Sequence, residues 1–177
     1  AGLSTRIFLT VLVVSISSLG VTALVSVAAM RNLNTSVTMA TLSATARILA
    51  NQFAINPDIR QDQPDMTVTD ALCNQAAAGT DTRITLVAPD GRVLGDSAHD
   101  PAGMENHSLR PEIAGALAGT VGTSFRASPT LTMDMAYAAA PVVVDGKIVA
   151  ALRVAAGAPD LDTRLSPFIG SIVLVAG

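Results

Sequence analysis

The chain has 177 residues, a formal net charge of −3, half of its residues apolar and only 14% charged, where a soluble domain ordinarily carries about 25%. Together with a mean hydropathy of +0.48, this excludes a disordered chain and, with no basic face, a nucleic-acid binder. The single cysteine, Cys73, excludes an intrachain disulfide framework and a multi-cysteine metal site.

From Ile7 to Met30 no residue is charged, and a helix of that length is about 36 Å long, enough to cross a hydrocarbon core of about 30 Å. Arg6 and Arg31 bracket the run. It is too long for the apolar core of a signal peptide, and Val27-Ala28-Ala29-Met30 makes a poor cleavage site. The reading is a transmembrane helix over 7–30 behind a cytoplasmic stub, 1–6. Ser18, Thr22 and Ser26 recur every four residues. They are either a close-approach face for a second helix or the ordinary content of an alanine- and serine-rich chain.

Residues 31–55 continue as helix. Leu33, Val37, Ala40, Ala44 and Ile48, with Leu49 and Phe53 beside them, make one apolar stripe, and Asn56-Pro57 ends it. Residues 57–66 are polar, proline-punctuated loop. Thr67 and Asp70 form a capping-box-like start for a helix over 68–78, stopped by Gly79. Strands are predicted over 83–88 and 92–95 around the turn Pro89-Asp90-Gly91. Residues 96–109 read as irregular. A helix over 110–118 has Pro111 in its first turn, Glu112 on its positive end and Gly119 as its stop. Strands over 121–127, 134–143 and 147–155 follow, the last two joined by the hairpin signal Asp145-Gly146.

Pro159-Asp160 opens a helix that enters a second apolar run, Phe168 to Gly177. Ten helical residues reach about 15 Å, half a bilayer. The sequence is therefore expected to be a fragment cut inside a second transmembrane helix that begins near 165; the absence of an initiator Met fits a cut at the front as well. Residues 31–164 form the domain between the spans: α+β, with a long N-terminal helix and a five-stranded, mostly antiparallel sheet with its helices on one face. Residues 32–164 hold all fourteen acids and nine Lys and Arg, a charge of −5. The positive-inside rule does not orient the chain, since only Arg6 precedes the first span while Arg31 and Arg47 follow it.

The segments ITLVAPDGRVLGDS (84–97), HDPAGMENHSLRPEIAGALAG (99–119), GTSFR (122–126) and DMAYAAAPVV (134–143) resemble the extracytoplasmic PAS-like (PDC or Cache) sensor region of phosphate-regulon-type sensor histidine kinases. The resemblance covers about 82–156, and its specific part is Asp96-Ser97, Met104 to His107 and Arg110-Pro111-Glu112. Gly95 departs from it, since a larger residue, usually alanine, is expected there. The resemblance implies a homodimer, through helices 7–55, in the bacterial cytoplasmic membrane. It implies a multi-pass chain with its sensor domain outside, and a C-terminal kinase core using ATP and Mg to phosphorylate a response regulator. None of that core is present. The sequence offers no catalytic residue, and His99 and His107 do not lie in a helical dimerisation segment. A chemoreceptor or a diguanylate cyclase has the same front end, and a non-signalling membrane assembly protein is the reading from a different class.

Asp96, Ser97, Arg110, Arg126 and Tyr137 are candidate ligand contacts in a pocket between the sheet and the 96–118 excursion, where Arg110 and Arg126 can fork onto a carboxylate or phosphate. The bland alternative is that Asp96-Ser97 forms an Asx or ST turn and that Arg110 pairs with Glu112 or Asp96. Asp100, Met104, Asn106, His107, Pro111 and Glu112 are expected to shape the loop, His107 by hydrogen bonds to backbone. His99, Asp100, Glu105 and His107 carry metal-binding chemistry but match no ligand spacing, so no metal and, within this fragment, no cofactor is expected. Cys73, among alanines, reads as a small core residue. With few aromatic residues, a pocket suits a small polar ligand or a protein partner.

Overall fold

The computed structural model describes residues 2–61, 63–127 and 134–157, and the chain divides into two units, Ala1–Val37 and Thr38–Gly177. Helix α1 (Leu3–Ala54) runs through both. It is the one helix among the described residues long and apolar enough to cross a membrane by length and composition. In the first unit its large apolar side chains, Phe8, Val14, Leu19 and Leu24 among them, are exposed. The hydroxyls of Thr10 and Thr22 donate to the carbonyls of Arg6 and Ser18, so these polar atoms are satisfied within the helix. The helix expected after Pro159 and the second apolar run lie outside the described residues.

In the second unit, helix α2 (Met66–Ala77) leads to strands β1 (Thr82–Val87) and β2 (Val93–Asp96). A 3-10 turn (Pro101–Gly103) and helix α3 (Pro111–Leu117) then precede β3 (Gly122–Ala127), β4 (Asp134–Val144) and β5 (Lys147–Gly157). The sheet order is β2-β1-β5-β4-β3, and every neighbouring pair is antiparallel. The α+β class with a long N-terminal helix and five strands is as the sequence indicates. The two turns explain the hairpins. Gly91 has φ +88°, and Asp145 and Gly146 have φ +50° and +79°, the doubly positive pair that a two-residue hairpin prefers. The β1–β5 pairing, Thr85 opposite Arg153 and Leu86 opposite Leu152, joins distant segments in the middle of the sheet.

Strand alternation sorts the side chains onto two faces. On one, Ile84, Leu86, Leu152, Val154, Ala136, Ala138 and Ala140 pack beneath Leu42, Ala46, Ala50 and Phe53 of α1 and Cys73 of α2. On the other, Val87, Ala139 and Ala151 meet Ile113, Ala116 and Leu117 of α3. Helices thus cover both faces, not one. The α1 stripe also differs from the sequence reading: Leu33, Val37, Ala40, Ala44 and Ile48 are exposed, whereas the face toward the sheet uses Leu42, Ala46, Ala50 and Phe53 with Met39 and Leu49. Two of those contacts are alanines, which let a helix lie close to a sheet but contribute little to a hydrophobic periodicity.

Helix α2 starts two residues before its predicted range, because Asp65 and not Thr67 is the cap: its carboxylate accepts from the Thr67 amide. Gly79, at φ +74°, follows its end. The helix then docks on β2. The Thr69 hydroxyl donates to the Leu94 carbonyl, and Asp70 accepts from the Asp96 amide at 3.0 Å. Gly95 makes this possible, for a Cβ there would lie 2.6 Å from the backbone of Thr69. The glycine at position 95 is therefore a packing requirement. Gly95→Ala should destabilise the domain by about 1–3 kcal/mol, the usual range for overpacking, whereas Gly103→Ala, whose Cβ meets nothing within 4 Å, should leave thermal unfolding unchanged.

Candidate functional site

On the α3 side of the sheet, the alternation that places Val87, Ala139 and Ala151 under the helix also places Arg83, Thr85, Arg153 and Tyr137 beside them. Arg153 stands at the centre of β5, between Leu152 and Val154, and is 4% exposed. A guanidinium so placed needs partners, because desolvating a charge without them is strongly unfavourable. Its Nη2 donates to the Thr85 hydroxyl at 3.0 Å, and its Nη1 lies 3.6 Å from Glu112. Its Nε, also buried, has no hydrogen-bond partner among the described residues.

Each of those partners is anchored in turn. Thr85 donates to Asp96 at 2.7 Å. Asp96 receives the Arg83 Nε on both oxygens, at 2.9 and 3.0 Å, and caps its own turn by accepting from the amides of Ala98 and His99. Glu112, fully buried, is held by both terminal nitrogens of Arg126 at 2.9 and 3.0 Å, a bidentate fork. Arg126 also donates to Ser124 at 2.8 Å and lies 3.8 Å above the centroid of the Tyr137 ring, with Arg153 at 5.5 Å from the same ring. A polar chain therefore crosses the sheet from β2 to β3, with three arginines against two carboxylates.

The electrostatics follow from this packing. Burial alone would raise the Glu112 carboxyl, but the Arg126 hydrogen bonds and the charges of Arg126 and Arg153 outweigh it and hold it below its usual range. The Glu112 bond raises Arg126, while burial lowers Arg153. His107 is pulled below its ordinary value by burial and then by the Arg153 charge. Its ring Nδ1 lies 2.8 Å from the Glu105 carbonyl, an acceptor only, so Nδ1 carries the proton.

The structure brings Asp96, Arg126 and Tyr137 of the sequence candidates to this face and leaves two apart. Ser97 accepts from the Ile84 amide at 3.0 Å, tying β2 to β1. Arg110 is partly exposed, with Glu105 at 3.9 Å in place of Glu112 or Asp96, so the second arginine beside Arg126 is Arg153. The sequence reading did not single out Arg153, Arg83 or Thr85, and it offered Arg110, not Arg126, as an ion-pair partner of Glu112. One signal was available: a lone charge inside an apolar hairpin strand.

The loop residues hold the excursion to the β1–β2 turn. Asn106 donates to the Asp90 carbonyl at 2.7 Å and accepts from Ser108, while the His107 amide donates to Gly91 at 2.8 Å. Asp100 caps the 3-10 turn through the Ala102 amide, and the Met104 amide donates back to Pro101. Pro111 opens α3, where Glu112 approaches β3 so closely that a Cβ on Gly122 would lie 2.2 Å from its carbonyl oxygen. On the far face of the sheet, Cys73 is buried and its thiol is pushed up to about 12 by that burial, so it is not a nucleophile at neutral pH.

No protein-family model and no characterised protein matches the chain by sequence. Solved structures match it by fold. The ligand-binding domain of the Campylobacter jejuni chemoreceptor Tlp3, in complex with 4-methylisoleucine, has a TM-score of 0.60 at 14% identity, covering 76% of this chain and 57% of that one. The sensor domain of the V. cholerae histidine kinase DctB has a TM-score of 0.55 at 15% identity, covering 72% and 52%. The ligand-binding domain of the Pseudomonas aeruginosa amino acid chemoreceptor PctC, in complex with GABA, has a TM-score of 0.54 at 17% identity, covering 75% and 62%. The chain spans between 52% and 62% of the length of these three. The fold is that of Cache-like sensor domains, shared by chemoreceptors and a histidine kinase alike; the phosphate-regulon type is not singled out by these likenesses.

Because folded His107 resists protonation, its contribution to stability is complete above its ordinary value of 6.5 and is lost as the pH falls through its lower folded value. Glu112 adds a similar loss further down, below 4.5. His107→Gln should therefore flatten the fall in melting temperature just below pH 6.5; an unchanged slope would assign that fall to another group.

Proposed function

We propose that this chain is the sensing and membrane-anchoring part of a bacterial receptor, with the Thr38–Gly157 region outside the cytoplasmic membrane and α1 crossing it. The observation that carries the reading is the buried cationic cluster on one face of a Cache-like sheet, beside α3. A protein that needed only a stable core would fill the centre of β5 with an apolar residue. The ligand is a small polar molecule carrying an anionic group, bound against Arg126, Tyr137 and Arg153. Ser97 and Asp96 hold the strands that place those groups, and Arg110 stands at the rim. Tlp3 and PctC, crystallised with 4-methylisoleucine and with GABA, support an amino-acid-like ligand.

For the output, we favour a histidine kinase of the phosphate-regulon type, on the 96–112 motif. Its missing core uses ATP and Mg, phosphorylates a response regulator, and works as a homodimer through α1, with a second span after residue 165. The exposed Ala40, Ala44 and Ile48 of α1 supply an apolar face for that dimer in the second unit. Chemotaxis is the second reading, favoured by the chemoreceptor domains among the matching structures.

Thermal unfolding of the full chain in detergent, with and without L-valine, GABA and other amino acids, tests the sensing reading. At least one compound should raise the melting temperature in a concentration-dependent way, and Arg126→Gln should abolish the rise. A panel without effect would speak for a protein partner or a purely structural loop.

A further inference from the structure

The Arg126 fork is already occupied. Both of its terminal nitrogens are taken by the two oxygens of Glu112, a side chain that the seven-residue helix α3 inserts, fully buried, between β3 and β5. Arg153 approaches the same carboxylate to 3.6 Å, and the ring of Tyr137 closes the cradle beneath both guanidinium groups. Two cations and an aromatic face around one carboxylate are the elements of a carboxylate receptor, and here the carboxylate belongs to the chain itself.

Even with Glu112 in place the cradle is under-neutralised. Among the described residues, Arg83, Arg126 and Arg153 face Asp96 and Glu112 alone across the sheet, and Asp96 is committed to Arg83, Thr85 and its own turn. Arg153 retains a buried Nε without a partner. The excess positive charge therefore draws a further anion, yet a carboxylate reaches the fork only by replacing Glu112. Beyond that ion pair, α3 is held by the apolar contact of Ile113, Ala116 and Leu117 and by its close approach to Gly122.

We infer that the cradle formed by Arg126, Arg153 and Tyr137 is a carboxylate-binding site that the chain keeps closed with its own Glu112, and that a ligand carboxylate binds by exchange with it, releasing the first turn of α3. The inference rests on the sensing reading for its biological meaning and on the ion-pair geometry for its chemistry. It assigns the ligand its class, a small molecule with one free carboxylate. It also assigns Glu112 a role as a tethered competitor.

Chemical rescue in the full chain tests the site without knowledge of the natural ligand. Glu112→Ala vacates the cradle, so formate or acetate should raise its melting temperature saturably, by about 5 °C at ten times the dissociation constant. Wild type should change much less, and the double variant E112A/R126Q should lose the response. If E112A does not fold, E112Q serves in its place: the amide keeps the volume, removes the charge, and should make the protein responsive to the same two anions. Equal responses of wild type and variant, or equal rescue by chloride, would overturn the inference. Failure of rescue with a positive amino-acid panel would leave the sensing reading standing, whereas rescue with a silent panel would support the cradle and count against that reading.

Discussion

A guanidinium buried in the central strand of a sheet is the constraint on which the rest of this domain depends. Arg153 sits where alternation along β5 would otherwise demand an aliphatic residue, and each feature of the α3 face answers to it. Thr85, its cross-strand neighbour, is a threonine whose hydroxyl oxygen accepts from Nη2 and whose O–H donates to Asp96. Glu112 is placed by α3, and α3 is allowed that close by Gly122 and Gly115, whose lack of Cβ atoms lets helix and strand touch. Arg126 then neutralises Glu112 and stacks on Tyr137. The opposite face, by contrast, is mainly apolar packing of α1 and α2 on the sheet, with the Thr69 and Asp70 hydrogen bonds tying α2 to β2.

This division of labour connects fold to function. A core that buries ion pairs is weak evidence for stability, since apolar residues of equal volume are often as good or better. Here the polar chain spans β2, β1, β5, α3 and β3 on one face, so a change of charge anywhere along it bears on the placement of both α3 and the excursion. The other face carries α1, the helix that also holds the candidate membrane span. A coupling of about 1–3 kcal/mol between a site and its output is the usual scale, comparable with the strength of a single charge-assisted hydrogen bond.

Much of the architecture was legible in the sequence because its signals are local. Pro89-Asp90-Gly91 and Asp145-Gly146 dictate their backbone torsions, and mostly apolar runs flank both turns. What was not legible depends on contacts between distant segments. The buried face of α1 relies on Ala46 and Ala50, which carry no periodic signal in a chain rich in alanine, so the more hydrophobic but exposed residues at 33, 37 and 48 stood out instead. The need for glycine at position 95 lies in the backbone of Thr69 and Asp70 of α2, which packs against it from a distant segment. Among the candidate site residues, Arg126 and Tyr137 were visible through a motif. Arg153 was not, because its significance lies in the β1–β5 register that sets it opposite Thr85.

The claim that most needs testing is that Arg153 is present for binding and not for stability. Replacing it with methionine removes the partnerless Nε and the excess charge together, leaving Arg83 with Asp96 and Arg126 with Glu112 as balanced pairs. Thermal unfolding of the full chain with Arg153→Met should therefore occur at the same temperature as wild type or higher, as hydrophobic replacement of buried charges commonly gives. A loss of stability on the order of 3–5 kcal/mol, the cost of breaking an essential buried pair, would contradict the account and make Arg153 a structural residue.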